Sequence, residues 1–179
     1  MMNSLRLVRT THAGVGDVDV RMMERAIQLA RRAAEAGEVP IAAVIYRGDE
    51  VLAEAANNRE AAADPTGHAE IVAMREAGRK LGEWRLEGCS MAVTLEPCPM
   101  CAGALVNARL GKLIYGATDP KAGACETLYK IPGDTRLNHR VEMHGGVLAP
   151  RCVELLRAFF KERRAQQKAL KDAARTRSA

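Results

Sequence analysis

The chain has 179 residues, 47% of them apolar and 27% charged, the balance of a soluble globular protein with one sizeable core. Aromatics are only 3%, so aliphatic side chains and alanine must fill that core. No apolar run approaches the roughly eighteen residues of a membrane span. Residues 1–16 lack the apolar stretch of a secretory signal, so they are expected to be a flexible lead-in to a cytoplasmic protein.

In chain order, residues 17–36 predict a first helix. Val20, Met23, Ile27, Ala30 and Ala34 recur at spacings of three and four, and Gly37 is placed to end it. Two short strands follow at 41–46 and 51–55, with Arg47-Gly48-Asp49-Glu50 as the turn. Residues 57–66 read as a polar, alanine-rich loop, and a second helix runs from about 68 to 81. A buried strand at 90–95 breaks at Pro97, and a helix over 99–108 begins with proline in its first turn. Further strands are expected at 112–116 and 141–144, with 117–139 a loop carrying at most a short helix. The last helix starts near 150, with Val153, Leu155, Leu156, Phe159 and Phe160 on its buried side. The pattern implies a three-layer α/β/α domain over 17–164, a mixed five-stranded sheet covered by helices on both faces.

The net charge of +5 is unevenly placed. Lys161, Arg163, Arg164, Lys168, Lys171, Arg175 and Arg177 face only Glu162 and Asp172, so the segment from 161 onward carries the whole excess. A neutral body with a basic helix end over 165–179 suits contact with a polyanion, or is simply a solvated helix end. Cys89, Cys98, Cys101, Cys125 and Cys152 are odd in number and form no disulfide framework. A C-x-x-C pair in such a chain points to metal or redox work.

The chemistry-bearing residues are His68-Ala69-Glu70 and Pro97-Cys98-Pro99-Met100-Cys101. Cys98 and Cys101, three apart at a helix start, can turn both thiolates to one side, and His68 starts its own helix. Helix N-termini surround such a site with N–H groups and partial positive charge, which favours the thiolates that zinc requires. One imidazole and two thiolates leave the fourth tetrahedral position open, the mark of a catalytic site. Two thiolates nearly neutralise Zn²⁺, so the metal acidifies water only weakly and a carboxylate must help. Glu70 lies too far round the helix from His68 to be a ligand and is placed to accept and return the proton. A closed zinc site would need Cys89, Cys125, Cys152, His139 or His144, none at the short spacing of zinc fingers. A redox pair would leave His68 and Glu70 without a role. The H-x-E…P-C-x-x-C pattern is the known signature of zinc-dependent nucleobase deaminases.

The run Asp64-Pro65-Thr66-Gly67-His68-Ala69-Glu70-Ile71, with Thr94-Leu95-Glu96-Pro97-Cys98-Pro99-Met100-Cys101-Ala102-Gly103-Ala104, closely resembles the bacterial tRNA-specific adenosine deaminases. Gly116-Ala117-Thr118-Asp119-Pro120-Lys121, Asn138-His139-Arg140-Val141 and Phe159-Phe160-Lys161-Glu162-Arg163-Arg164 extend the resemblance over roughly 20–164. It implies a cytidine-deaminase-like fold, one Zn²⁺ per subunit, and a homodimer whose subunits both help to bind RNA. The implied reaction converts adenosine to inosine at the wobble position of a tRNA anticodon. Residue by residue, it implies that His68, Cys98 and Cys101 hold the metal, Glu70 shuttles protons and Asn57 contacts the flipped-out nucleoside. Asp119 and Lys121 would hold neighbouring anticodon nucleotides, and Phe160, Arg163 and Arg164 would meet the RNA loop. Ala42, Asn58, Ala63 and Cys125 depart from the family's usual residues, and none of them removes a ligand.

Two other readings stay open at this level. The zinc motif is shared with deaminases of free guanine, cytosine or cytidine, and a zinc-stabilised RNA-binding protein without catalysis would carry the same ligands. His139 reads as either a structural histidine or an RNA contact, and Trp84 as packing after the His68 helix.

Overall fold

The computed structural model describes residues 13–177, with side chains to 174. Most of the expected lead-in and the side chains of Arg175 and Arg177 lie outside the described residues. Helix α1 (Asp17–Glu35) is followed by strands β1 (Ala42–Arg47) and β2 (Glu50–Ala56), the one-turn helix α2 (Arg59–Ala62) and α3 (Ala69–Leu81). Strand β3 (Ser90–Leu95), α4 (Pro99–Asn107), β4 (Lys112–Ala117), a 3₁₀ turn (Ile131–Gly133), β5 (Glu142–His144) and α5 (Ala149–Arg177) complete the chain.

The strands form one sheet in the order β2-β1-β3-β4-β5. β1 runs antiparallel to β2 and β3, and β3, β4 and β5 are parallel. Side chains alternate across it. Ala43, Ile45, Met91, Val93 and Leu113 pack with α3 and α4, whereas Val44, Tyr46, Ala92 and Ile114 pack with α1 and α5. The expected three-layer, five-stranded architecture is the one observed. Cover on both faces explains why β1 reads as a continuous apolar run and not as an alternation.

Local chemistry sets the element ends. Gly37, at φ +85°, ends α1, and the N–H groups of Gly37 and Glu38 return to Ala34 and Ala33 carbonyls at 3.0 and 2.9 Å. Gly116 lets α5 approach β4, because a Cβ there would lie 2.4 Å from Cys152 Sγ. Two expectations are sharpened. The 57–66 loop contains α2, closed by Ala63 at φ 49°, and α5 continues unbroken past residue 164. The two roles expected of Phe159 and Phe160 divide between them: Phe159 is 8% exposed and belongs to the buried side, whereas Phe160 is 43% exposed and does not. The two are one position apart on a helix that meets the sheet along a narrow stripe.

Below the sheet, at the amino ends of β3 and β4, sits a buried charge cluster. Asp19 accepts hydrogen bonds from Tyr46 Oη (2.5 Å), Lys112 Nζ (2.7 Å) and Gly16 N–H (2.8 Å), joining α1 to β1 and β4. Burial opposes ionisation of Asp19, yet hydrogen bonds from Lys112, Tyr46 and Gly16 outweigh it and hold the carboxyl below its usual range. Its stabilisation is therefore complete above the unfolded carboxylate pKa and is lost as pH falls through the lowered folded value. Asp19→Ala should destabilise the chain by about 3 kcal/mol at pH 7 and flatten the acid limb of stability. Urea denaturation at pH 7 and in acid measures both, and an unchanged midpoint would refute the role.

Candidate active site

The site gathers at the carboxyl ends of β2, β3 and β4, the usual ligand edge of an α/β sheet. β2 ends into Asn57, β3 into Glu96-Pro97-Cys98, and β4 into the loop bearing Asp119. His68 is the N-cap of α3 and Cys98 the N-cap of α4, both in extended conformation and neither side chain capping its helix. Freed from capping, the two side chains meet. His68 Nδ1 lies 3.5 Å from Cys98 Sγ and 3.5 Å from Cys101 Sγ. The three donor atoms all fall within 4.8 Å of one another.

This triangle fits zinc. Bonds of about 2.0 Å to nitrogen and 2.3 Å to sulfur at a tetrahedral angle set N and S about 3.5 Å apart. Thiolate and imidazole donors also suit zinc better than magnesium or calcium. Among the described residues no fourth histidine, cysteine or carboxylate joins the group. His139 Nε2 instead bonds the Leu110 carbonyl at 2.7 Å, and Cys152 packs against Gly116. Beside the triangle Glu70 is buried, and its Oε2 has no hydrogen-bond partner among the described residues. Burial first, then the nearby Cys98 sulfur, push its carboxyl pKa up. Asn57, also buried, accepts the Ala69 N–H on Oδ1 at 2.9 Å, capping α3 in place of His68 and leaving its amide nitrogen to donate.

The model of the MafB19-like deaminase family matches residues 18–164. A tRNA-specific adenosine deaminase of Bacillus subtilis is 47% identical over 84% of this chain and 94% of its own length. The chain belongs to the tRNA-specific adenosine deaminase family. A solved tRNA:A34 deaminase, from work on A-to-I editing at the wobble position, superposes with a TM-score of 0.73. It is 40% identical and covers 76% of this chain and 99% of that one. A guanine deaminase of Nitrosomonas europaea shares the fold alone, at 21% identity and a TM-score of 0.69 over 86% of this chain and 97% of that one.

Seen as a member of that family, the chain places the expected substrate residues in two further groups. Asp119 is partly buried and Lys121 exposed on one loop, where Asp119 Oδ1 accepts the Lys121 N–H at 2.9 Å. Phe160, Arg163 and Arg164 are exposed on α5, with the Arg163 guanidinium 5.7 Å from the centroid of the Phe159 ring. Trp84 corrects an expectation: at 59% exposed it does not pack into the core but stands at the rim of a groove between α3 and α4, under Arg85. The turn Gly82–Glu83 carries it off the buried face of α3. Asn138 accepts a hydrogen bond from Arg109 at 2.6 Å, so the Asn-His-Arg segment docks on the α4–β4 turn.

Sequence reasoning missed Glu96. It is 2% exposed, and burial opposes its charge. Hydrogen bonds from Thr127, Asp119 and Glu126 nevertheless hold its carboxyl below the usual range. The available signal was a carboxylate directly after an apolar strand and before Pro-Cys.

The Cys98 thiol is drawn down to about 5, chiefly by a hydrogen bond from the Cys101 thiol, against burial. Backbone N–H groups of Cys101 and Met100 and the His68 ring assist. The same sulfur-to-sulfur hydrogen bond, together with burial, pushes Cys101 up, so one proton is shared until a cation replaces it. In metal-stripped protein at pH 7, iodoacetamide should label Cys98 first, with the rate falling as pH drops through about 5. Added zinc should block labelling. Peptide mapping reads the order, and faster labelling of Cys89 or Cys125 would contradict it.

Proposed function

We propose that the chain deaminates adenosine to inosine at the wobble position of a tRNA anticodon, in the cytoplasm. His68, Cys98 and Cys101 hold one Zn²⁺ per subunit, and Glu70 moves the protons. The observation that carries this is the buried Glu70 carboxylate, its Oε2 without a partner among the described residues, beside a three-donor triangle in a chain of this family.

When bound, the metal supplies Lewis acidity that makes water nucleophilic near neutral pH. Glu70, its pKa raised by burial, is a better proton acceptor than an exposed carboxylate. It takes the proton of the attacking water, delivers it to N1 of adenine, and passes the next to the amine departing from C6. Asn57, with Oδ1 tied to α3, donates from its amide nitrogen to the nucleoside. An anticodon loop offers unstacked bases, so the target is extruded at less cost than from a duplex.

Asp119 and Lys121 sit on the same carboxyl edge of the sheet, which supports their contact with flanking nucleotides. On α5, Arg157, Lys161, Arg164, Lys168 and Lys171 alternate at spacings of four and three, which sets all five exposed cations along one stripe. With Phe160 and Arg163, that stripe supplies salt-dependent affinity for RNA phosphates.

The open groove between α3 and α4 is mostly apolar, with Ile71, Met74, Trp84, Ala104 and Ala108 beside charged Arg75, Arg79 and Glu83. It supports a homodimer in which this face is covered by a second copy. Among the described residues no helix is long and apolar enough to cross a membrane.

Inosine formation in an anticodon stem-loop, assayed beside free guanine and cytosine, tests the substrate; activity on the free bases alone would overturn it. Glu70→Ala should keep one zinc per chain and lose about 10³-fold in deamination, and retained turnover would sink the shuttle. Trp84→Glu should shift the chain from dimer to monomer in sedimentation, while a wild-type monomer would remove the dimer reading.

A further inference from the structure

Glu96 is buried without serving the proton transfer, and its two oxygens are fully engaged. Oε1 accepts the consecutive N–H groups of Cys125, Glu126 and Thr127 at 3.1, 2.8 and 3.0 Å. Oε2 accepts the Asp119 N–H at 3.0 Å and the Thr127 hydroxyl. Three successive N–H groups on one oxygen form an anion nest, here filled by a side chain of the protein itself. The backbone adds to it: Glu96 N–H donates to the Ala117 carbonyl at 2.8 Å, and Ala124 N–H donates to the Pro97 carbonyl at 2.9 Å. Gly123 packs directly on the carboxylate, since a Cβ there would lie 2.3 Å from Oε2.

The segment 119–127 therefore closes around one carboxylate that stands two residues before Cys98. Asp119 is held by its own N–H, and Lys121 through Asp119 Oδ1. We propose that Glu96 is a positioning residue that sets the 119–121 loop relative to the Cys98 and Glu70 corner, so that flanking nucleotides bind in register with the target base. This rests on the reading of Asp119 and Lys121 as nucleotide contacts. The role differs from that of Asp19, whose partners belong to core elements. All five Glu96 partners lie on a segment that has no strand or helix of its own.

Glu96→Gln keeps the shape but puts an NH₂ where one oxygen must accept. Amide hydrogen exchange at Asp119 and at Cys125–Thr127 should accelerate about tenfold or more, with Ala102 in α4 unaffected. With zinc content unchanged, KM for the stem-loop should rise about tenfold while kcat stays within about threefold. Thr127→Val, which removes only the hydroxyl bond, should move KM the same way by less. Unchanged exchange would overturn the pinning, and faster exchange with unchanged KM would make Glu96 structural only. Loss of zinc and kcat at constant KM would assign it to the metal corner instead and overturn the proposal. Exchange needs no substrate, so a wild-type chain inactive on the stem-loop would sink the function reading while exchange still judges the pinning.

Discussion

Helices α3 and α4 both start on a residue whose side chain is withheld from capping. A helix start leaves N–H groups without partners and is ordinarily closed by Ser, Thr, Asp or Asn. Here His68 and Cys98 hold those positions, turned toward each other and toward Cys101. Much of the neighbourhood answers that choice. Asn57 reaches from the end of β2 to cap Ala69. Pro99 removes one donor at the start of α4 outright. The Cys101 thiol, assisted by the N–H groups of Cys101 and Met100, donates to the Cys98 sulfur and draws it toward the thiolate before any metal arrives. The sheet serves this arrangement by ending β2, β3 and β4 at one edge.

Three of the four buried carboxylates among the described residues show how the fold separates stability from chemistry. Asp19 is paired with an ammonium and two further donors at the opposite edge of the sheet, and it joins core elements. Glu96 is saturated by a loop. Glu70 keeps an oxygen without a partner, as does Glu38, but Glu38 accepts the Ala61 N–H and only Glu70 lies beside the donor triangle. An unsatisfied buried oxygen is expensive, and its persistence beside three metal-type donors is what a proton shuttle needs. The two satisfied carboxylates have lowered pKa values and the unsatisfied one a raised value, so the hydrogen-bond inventory and the acid–base behaviour tell the same story.

The elements were legible in the sequence because their signals are local. Apolar spacing marks α1, and Gly37 and Pro99 mark ends that depend only on backbone chemistry. The donor triangle was legible because H-x-E and P-C-x-x-C each fall within one helix turn, so spacing nearly fixes geometry. What stayed hidden depends on distant partners. Phe159 and Phe160 are the same residue type one position apart, and only the packing of α5 on the sheet separates them. Trp84 looks like core by composition, yet its exposure follows from the turn after α3 and the open groove beside it. Glu96 looks like a polar strand end, because nothing near it in sequence announces that residues 119–127 will fold back onto its carboxylate.

This division also separates the packed parts of the site from the open ones. His68, Glu70, Cys98 and Cys101 stand on the first turns of helices packed against the sheet, where close packing leaves little freedom. Asp119, Lys121 and the exposed face of α5 stand on a loop and a projecting helix, where substitution disturbs no core. A guanine deaminase at 21% identity keeps the architecture, so architecture cannot select the base. On the proposed reading, substrate discrimination then rests on side chains at the carboxyl edge and not on the sheet that carries them. The loop is nevertheless anchored two residues before a metal-type ligand. With five hydrogen bonds closing on that one carboxylate, the loop's place beside Cys98 is set by Glu96 and not by any strand or helix of its own.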